Sequence, residues 1–217
     1  MLIEKISELK KLLMAEAALV EKMVAMCFTG IKTTNGGSLD DVMIFETRVN
    51  QLELEIENLC TALIALHQPE AKDLRVILMI YKINNDLERL GDQAVNIAES
   101  SSVVSGNPML DQLPELYEMK DKSLIMLKQS ITAFTDENVE LARQVCQDDN
   151  YVDDLNRDIT THLISLMKQS PQLIEDFLHV LRIAKNLERI ADLSTNIAEN
   201  TVYLVQGKVI KHHAEEQ

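Results

Sequence analysis

One acidic helical segment is written twice in this chain, 100 residues apart. Residues 83–99 read INNDLERLGDQAVNIAE and residues 183–199 read IAKNLERIADLSTNIAE. Core packing alone would preserve only apolar character and spacing, yet here polar positions recur by identity. These positions are Glu88, Arg89, Asp92, Asn96 and Glu99, which return as Glu188, Arg189, Asp192, Asn196 and Glu199. The repeat indicates a duplicated structural unit. Because its polar residues recur by identity, we expect its polar face to have a chemical role as well as a structural one.

The rest of the chain follows the same two-part plan. Apolar residues recur at helical spacing in long stretches, and no stretch alternates like a strand. Pro69 and Pro171 break the pattern at the same place in each half, and residues 105–108 give the strongest linker signal. We expect an all-α fold of two tandem three-helix bundles, with residues 1–105 as the first repeat and 106–217 as the second. The six long helices are predicted at about 3–28, 38–66, 69–101, 110–134, 137–167 and 171–205.

Charge limits the partners of such a protein. The 217 residues include 21 basic and 35 acidic side chains, for a net charge of −14. Such a surface repels nucleic acids and anionic lipids, and it favours multivalent cations or the basic cytoplasmic loops of membrane proteins. No apolar run is long enough to cross a bilayer, and no signal peptide is recognisable. The three distant cysteines (Cys27, Cys60 and Cys146) fit small core residues, so we expect a reducing, cytoplasmic location.

Carboxylates line one face of four helices. At 100° per residue, Glu88, Asp92 and Glu99 fall on a stripe of the third helix that is separate from the core stripe. Glu188, Asp192 and Glu199 do the same on the sixth helix. Arg89 and Arg189 are expected to pair with the aspartate three residues on. The preceding helix of each half presents a matching face, comprising Glu46, Asn50, Glu53 and Glu57 in the second helix and Asp149, Asp153 and Asn156 in the fifth.

Two such faces on adjacent antiparallel helices converge. Carboxylate and amide oxygens are ligands for hard cations such as magnesium, calcium, manganese and ferric iron, with zinc as a further option. The spacing is equally compatible with ordinary solvated helix faces, because acidic residues four apart are common on soluble helices.

Two short motifs carry a family resemblance. Residues 68–75 read QPEAKDLR and residues 87–92 read LERLGD, and together they resemble the signature of the PhoU family. LERIAD at 187–192 is similar to the family's second repeat. The resemblance implies paired three-helix bundles that act as cytoplasmic regulators between a high-affinity ABC phosphate transporter and its sensor histidine kinase. Such proteins keep the phosphate-starvation response off when phosphate is plentiful, and the resemblance also implies a homodimer.

The resemblance further implies iron or zinc clusters held by Glu/Asp-x-x-x-Asp motifs on two helices of each repeat. Manganese and magnesium are alternatives that rest on the oxygen donors alone. The motif residues are Glu46, Asn50, Glu88 and Asp92 in the first repeat and Asp149, Asp153, Glu188 and Asp192 in the second. Asn50 departs from the pattern, because it replaces an expected acid and removes a negative charge. We therefore expect the second site to bind metal more tightly than the first.

Two other functions compete with this one. A metal-binding helical protein that serves a different transporter would share the same surface. A di-iron carboxylate enzyme would need a histidine three residues after a ligating glutamate, where this chain has Gly91 and Ala191. No glycine-rich phosphate loop is present, so we do not expect ATP binding. We expect an adaptor without catalytic activity of its own.

Overall fold

The computed structural model describes residues 2–32 and 38–207, which form six long helices. The helices are α1 (Leu2–Lys32), α2 (Ser38–His67), α3 (Ala71–Val104), α4 (Pro114–Thr135), α5 (Val139–Gln169) and α6 (Ile174–Gln206). Short 3-10 helices at Pro108–Gln112 and Pro171–Leu173 precede α4 and α6. No strand occurs within the described ranges. The predicted all-α fold of two tandem three-helix bundles is confirmed.

Each helix buries the stripe that its apolar spacing predicts. On α3, the side chains of Ile83, Leu87, Leu90, Ala94 and Ile97 are fully buried, and the matching positions of α6 are also buried. These side chains belong to one hydrophobic core that runs through both repeats. Burial of this stripe provides most of the stability of such helices.

Several helix boundaries differ from the prediction, and at two turns the cause is local. Pro69 was expected inside the third helix, but α3 begins at Ala71. The backbone of Gln68 is left-handed, with φ of 45°, and this conformation ends α2 before the proline is reached. The fourth helix begins at Pro114 rather than near residue 110, because residues 108–112 form the 3-10 helix and Pro114 suits the first helical position.

The two repeats pack with equivalent helices antiparallel. Arg75, near the start of α3, donates a hydrogen bond to the carbonyl of Leu204 near the end of α6, at 3.4 Å. Phe28, near the end of α1, forms an edge-to-face contact with Tyr117 near the start of α4, with ring centroids 5.9 Å apart. The molecule therefore has approximate two-fold symmetry, and each repeat carries its own copy of the acidic face.

Candidate metal centres

The first acidic cluster lies where α2 and α3 run side by side. The amide of Asn50 donates a hydrogen bond to Glu46 Oε1 at 2.6 Å, which joins the two predicted residues on α2. Partial burial raises the pKa of Glu88 on α3, and the negative charges of Asp92, Glu53 and Glu46 raise it further. The four residues predicted for the first site thus lie on the neighbouring helices α2 and α3, where the charges of Glu46 and Asp92 act on Glu88.

The second cluster lies between α5 and α6. The amide of Asn156 on α5 donates to Glu188 Oε1 at 3.1 Å. Partial burial raises the pKa of Asp192, with further increases from the charges of Glu188 and Asp153. Asp149 lies one turn before Asp153 on the same helix and is half-buried.

Basic side chains near the clusters follow a different pairing from the expected one. Arg89 lies 3.8 Å from Asp86, three residues earlier, and not beside Asp92. In the second cluster Lys185 pairs with Glu188, three residues later. Long side chains on a helix lean toward its amino terminus, which explains why Arg89 reaches the preceding turn. The expected pair of Arg89 with Asp92 is therefore wrong, although the positive charge of Arg89 still acts to lower the pKa of Glu88.

Two residues of the first cluster lie outside the predicted set. The buried positions of α2 and α5 match in register, as Val49, Leu52 and Ile56 against Val152, Leu155 and Ile159. On this register Asn50 corresponds to Asp153, whereas Glu53 corresponds to Asn156. The acid and the amide have exchanged places, so Glu53 supplies the charge that Asn50 lacks. An alignment of the two halves of the sequence would have revealed this exchange.

Glu16 on α1 is the second such residue. Its side chain is 0% exposed, and the charges of Glu53 and Glu88 act on it. The sequence signal was a lone acid within the apolar stripe that includes Leu13, Ala17 and Val20.

The side chains of each cluster offer oxygen donors on adjacent helices, but the donors do not surround a common point. Among residues 2–32 and 38–207, no three His, Cys, Asp or Glu side chains are gathered closely enough to hold a metal ion. The donor chemistry suits hard cations such as iron(III), manganese or magnesium, and it suits zinc less well, because structural zinc sites use cysteine and histidine.

No helix in the described part of the chain is both long and apolar enough to cross a membrane.

Comparison with known proteins gives the family. A family model of the PhoU domain matches the chain twice, at residues 13–101 and 116–201. The chain belongs to the PhoU family. The two PhoU matches fall on the two three-helix repeats described above.

Named PhoU relatives match over nearly the whole chain. The phosphate-specific transport system accessory protein PhoU homolog of Clostridium acetobutylicum is 33% identical over 206 residues, 94% of each chain. The homolog of the same name from Aquifex aeolicus is 33% identical, covering 97% of this chain and 96% of its own. These names describe accessory proteins and not enzymes, in agreement with the expectation that this chain has no catalytic activity.

Solved PhoU structures share the fold. The crystal structure of PhoU from Pseudomonas aeruginosa has a TM-score of 0.88 at 29% identity, covering 96% of this chain and 100% of that one. The phosphate transport system regulatory protein PhoU from Streptococcus pneumoniae has a TM-score of 0.89 at 27% identity, covering 98% and 100%.

Proposed function

We propose that this PhoU-family chain is a regulatory accessory protein of a phosphate transport system. It keeps the phosphate-starvation response off and restrains phosphate uptake when phosphate is plentiful. It acts at the cytoplasmic face of the membrane, between a high-affinity ABC phosphate transporter and a sensor histidine kinase, as a homodimer. The observation that carries this proposal is the similarity of both repeats to PhoU proteins over 94% or more of the relatives' length.

Charge supports docking on a basic protein surface. The net charge of −14 disfavours nucleic acid and anionic lipid, and it favours Lys/Arg-rich cytoplasmic loops, such as those of a transporter. Charge complementarity of this kind raises the rate of association and selects partners. The chain would regulate by binding either the transporter or the kinase, and it would catalyse no reaction itself.

The acidic clusters are the proposed cation sites. Glu46, Asn50, Glu88 and Asp92 would hold metal in the first repeat, and Asp149, Asp153, Glu188 and Asp192 would hold it in the second. Their oxygen donors fit iron or manganese best, with magnesium and zinc as weaker candidates. A bound cation would neutralise part of the face and join two neighbouring helices, and it would thereby alter the surface available to partners.

A phosphate-responsive reporter tests the regulatory role. In the organism of origin with this gene deleted, a phosphate-starvation promoter should stay active even in high phosphate. The wild-type gene should restore repression. If the promoter is repressed equally with and without the gene, the regulatory proposal fails.

A pull-down tests the partner. The tagged chain should recover a phosphate ABC transporter and a histidine kinase from detergent-solubilised membranes, and recovery should change when a chelator is added. Recovery of a different transporter instead would favour the accessory metal-binding protein.

A further inference from the structure

An apolar groove lies between the start of α3 and the end of α6. It has a volume of about 680 Å³, and Leu74, Leu78 and Met79 of α3 and Tyr203 of α6 are among its lining residues. Leu78 is 43% exposed, although α3 already buries a separate apolar stripe in the core. A second apolar surface on a core helix points to an occupant, because covering such a surface is favourable.

The chain leaves α6 at the mouth of this groove. Gly207, directly after α6, is left-handed with φ of 68°, and its N–H donates to the carbonyl of Tyr203 at 2.9 Å. A methyl group on Gly207 would lie 3.5 Å from Nη1 of Arg75, which also lines the groove. A left-handed cap turns the chain out of the helix, and the residues after it commonly pack back on the last helical turn.

The sequence continues for ten residues beyond Gly207, and residues 208–217 lie outside the described ranges. They read KVIKHHAEEQ, with the apolar pair Val209 and Ile210 close to the cap. An extended chain advances about 3.3 Å per residue, which places Ile210 about 10 Å from Gly207. The groove-lining turns of α6, residues 199–203, lie about 6–12 Å back along the helix axis. The apolar pair therefore matches the groove in reach.

Charge at the far end of the groove matches the next part of the segment. Glu199 and Lys82 line the groove there. Lys211 is about 13 Å from Gly207 in an extended chain, and Glu199 is about 12 Å from it along α6. Exposed ion pairs contribute little stability, so they would fix the direction of the segment while the apolar pair supplies most of the affinity.

We propose that residues 208–217 dock in this groove, with Val209 and Ile210 against Leu78 and Tyr203. The segment would shield the exposed apolar surface of α3 and α6 from water. Any partner that binds this part of the molecule would first have to displace it. The proposal depends neither on metal binding by the acidic clusters nor on the regulatory role.

Thiol labelling of the full chain tests the docking. The variant Leu78→Cys is made in a Cys146→Ser background, where the remaining native cysteines are both buried. Its reaction with a thiol reagent is compared in chains with and without residues 208–217. Only an uncovered thiol reacts, so a docked state populated about ten times more than the undocked state slows labelling about tenfold.

Deletion of residues 208–217 should therefore speed the labelling of Leu78→Cys about tenfold. The double substitution Val209→Asp/Ile210→Asp keeps the full length and removes the apolar contact, so it should speed labelling to the same extent. Far-UV circular dichroism should show that all variants keep their helices.

Leu178→Cys is the matched control. Leu178 corresponds to Leu78 in the second repeat and is exposed to a similar extent, at 47%. It lies about 43 Å from Gly207 along α6, beyond the reach of about 35 Å that ten extended residues have. Its labelling should be the same in the full-length and shortened chains.

Three results would overturn the proposal. Equal labelling of Leu78→Cys with and without residues 208–217 would show that the segment does not cover the groove. Protection that survives the deletion and increases with protein concentration would identify a second copy of the chain as the occupant. If the deletion speeds labelling of Leu178→Cys as much as that of Leu78→Cys, the segment stabilises the helices generally and does not dock at this groove.

Discussion

At the scale of single residues, burial raises the pKa of Glu16 and of two of the three cysteines. Burial raises the pKa of Glu16 from 4.5 to about 9, and the charges of Glu53 and Glu88 add to the shift. A carboxyl whose pKa is raised on folding binds more protons in the folded than in the unfolded state. Its contribution to stability is complete below about pH 4.5 and is lost as the pH rises toward about 9.

Glu16→Gln should remove this pH dependence from the metal-free protein. The variant should match the wild type near pH 5, and its stability advantage should grow by about 1–3 kcal/mol by pH 8, since one proton changes stability by at most about 1.4 kcal/mol per pH unit. Urea unfolding in the presence of a chelator, from pH 5 to pH 8, measures this directly. Parallel pH profiles for the two proteins would show that Glu16 has an ordinary pKa.

The cysteines should react according to burial. Burial raises the pKa of both Cys27 and Cys60 to about 12, and the Cys27 thiol donates to the carbonyl of Met23 at 3.1 Å. Cys146 is half-buried. A thiol reagent at pH 8 should therefore modify at most one cysteine of the native protein, identified by peptide mass as Cys146, and all three after unfolding. Rapid labelling of Cys27 or Cys60 in the native state would contradict their placement in the core.

At the scale of helices, the apolar periodicity of the sequence predicted the helices and their buried faces, whereas contacts between side chains of different helices could not be predicted. The apolar stripe of α3 and the order of six helices followed from spacing, because burial of one face is what holds such helices together. The turn at Pro69 was misplaced because the left-handed backbone of Gln68 has no signature in composition. Glu16 was missed because its partners lie on two other helices, and their proximity depends on packing.

Gly91 allows a test of the close approach of α2 and α3. A methyl group at this position would lie 3.4 Å from Val49 Cγ1, an ordinary van der Waals contact, and the second repeat has Ala191 here. Gly91→Ala should stabilise the protein by about 0.5–1 kcal/mol, the gain from replacing glycine within a helix. The reciprocal Ala191→Gly should destabilise by a similar amount. Chemical denaturation measures both, and a destabilised Gly91→Ala would mean that Val49 cannot accommodate the methyl group.

At the scale of the whole molecule, the duplicated bundles share one core. The antiparallel packing of α3 on α6 and of α1 on α4 joins the repeats through buried side chains and not through a linker alone. A protein with a continuous core unfolds cooperatively. The boundary predicted at residues 105 and 106 separates sequence repeats, and it need not separate units that fold on their own.

We expect a single unfolding transition for the metal-free chain. Circular dichroism, which reports all helices, and the fluorescence of the four tyrosines should change together with urea concentration. Two resolved transitions would show that the repeats are independent.

The central claim is that both acidic clusters bind metal, and metal content tests it most directly. Untagged protein would be purified and analysed by elemental mass spectrometry beside two variants, Glu88→Gln/Asp92→Asn and Glu188→Gln/Asp192→Asn. We predict stoichiometric iron or manganese in the wild type, with each variant losing the share of one repeat. The claim would be contradicted if the wild-type protein contained no metal even after loading, or if all three proteins contained the same amount. These carboxylates would then be ordinary solvent-exposed residues on helix faces.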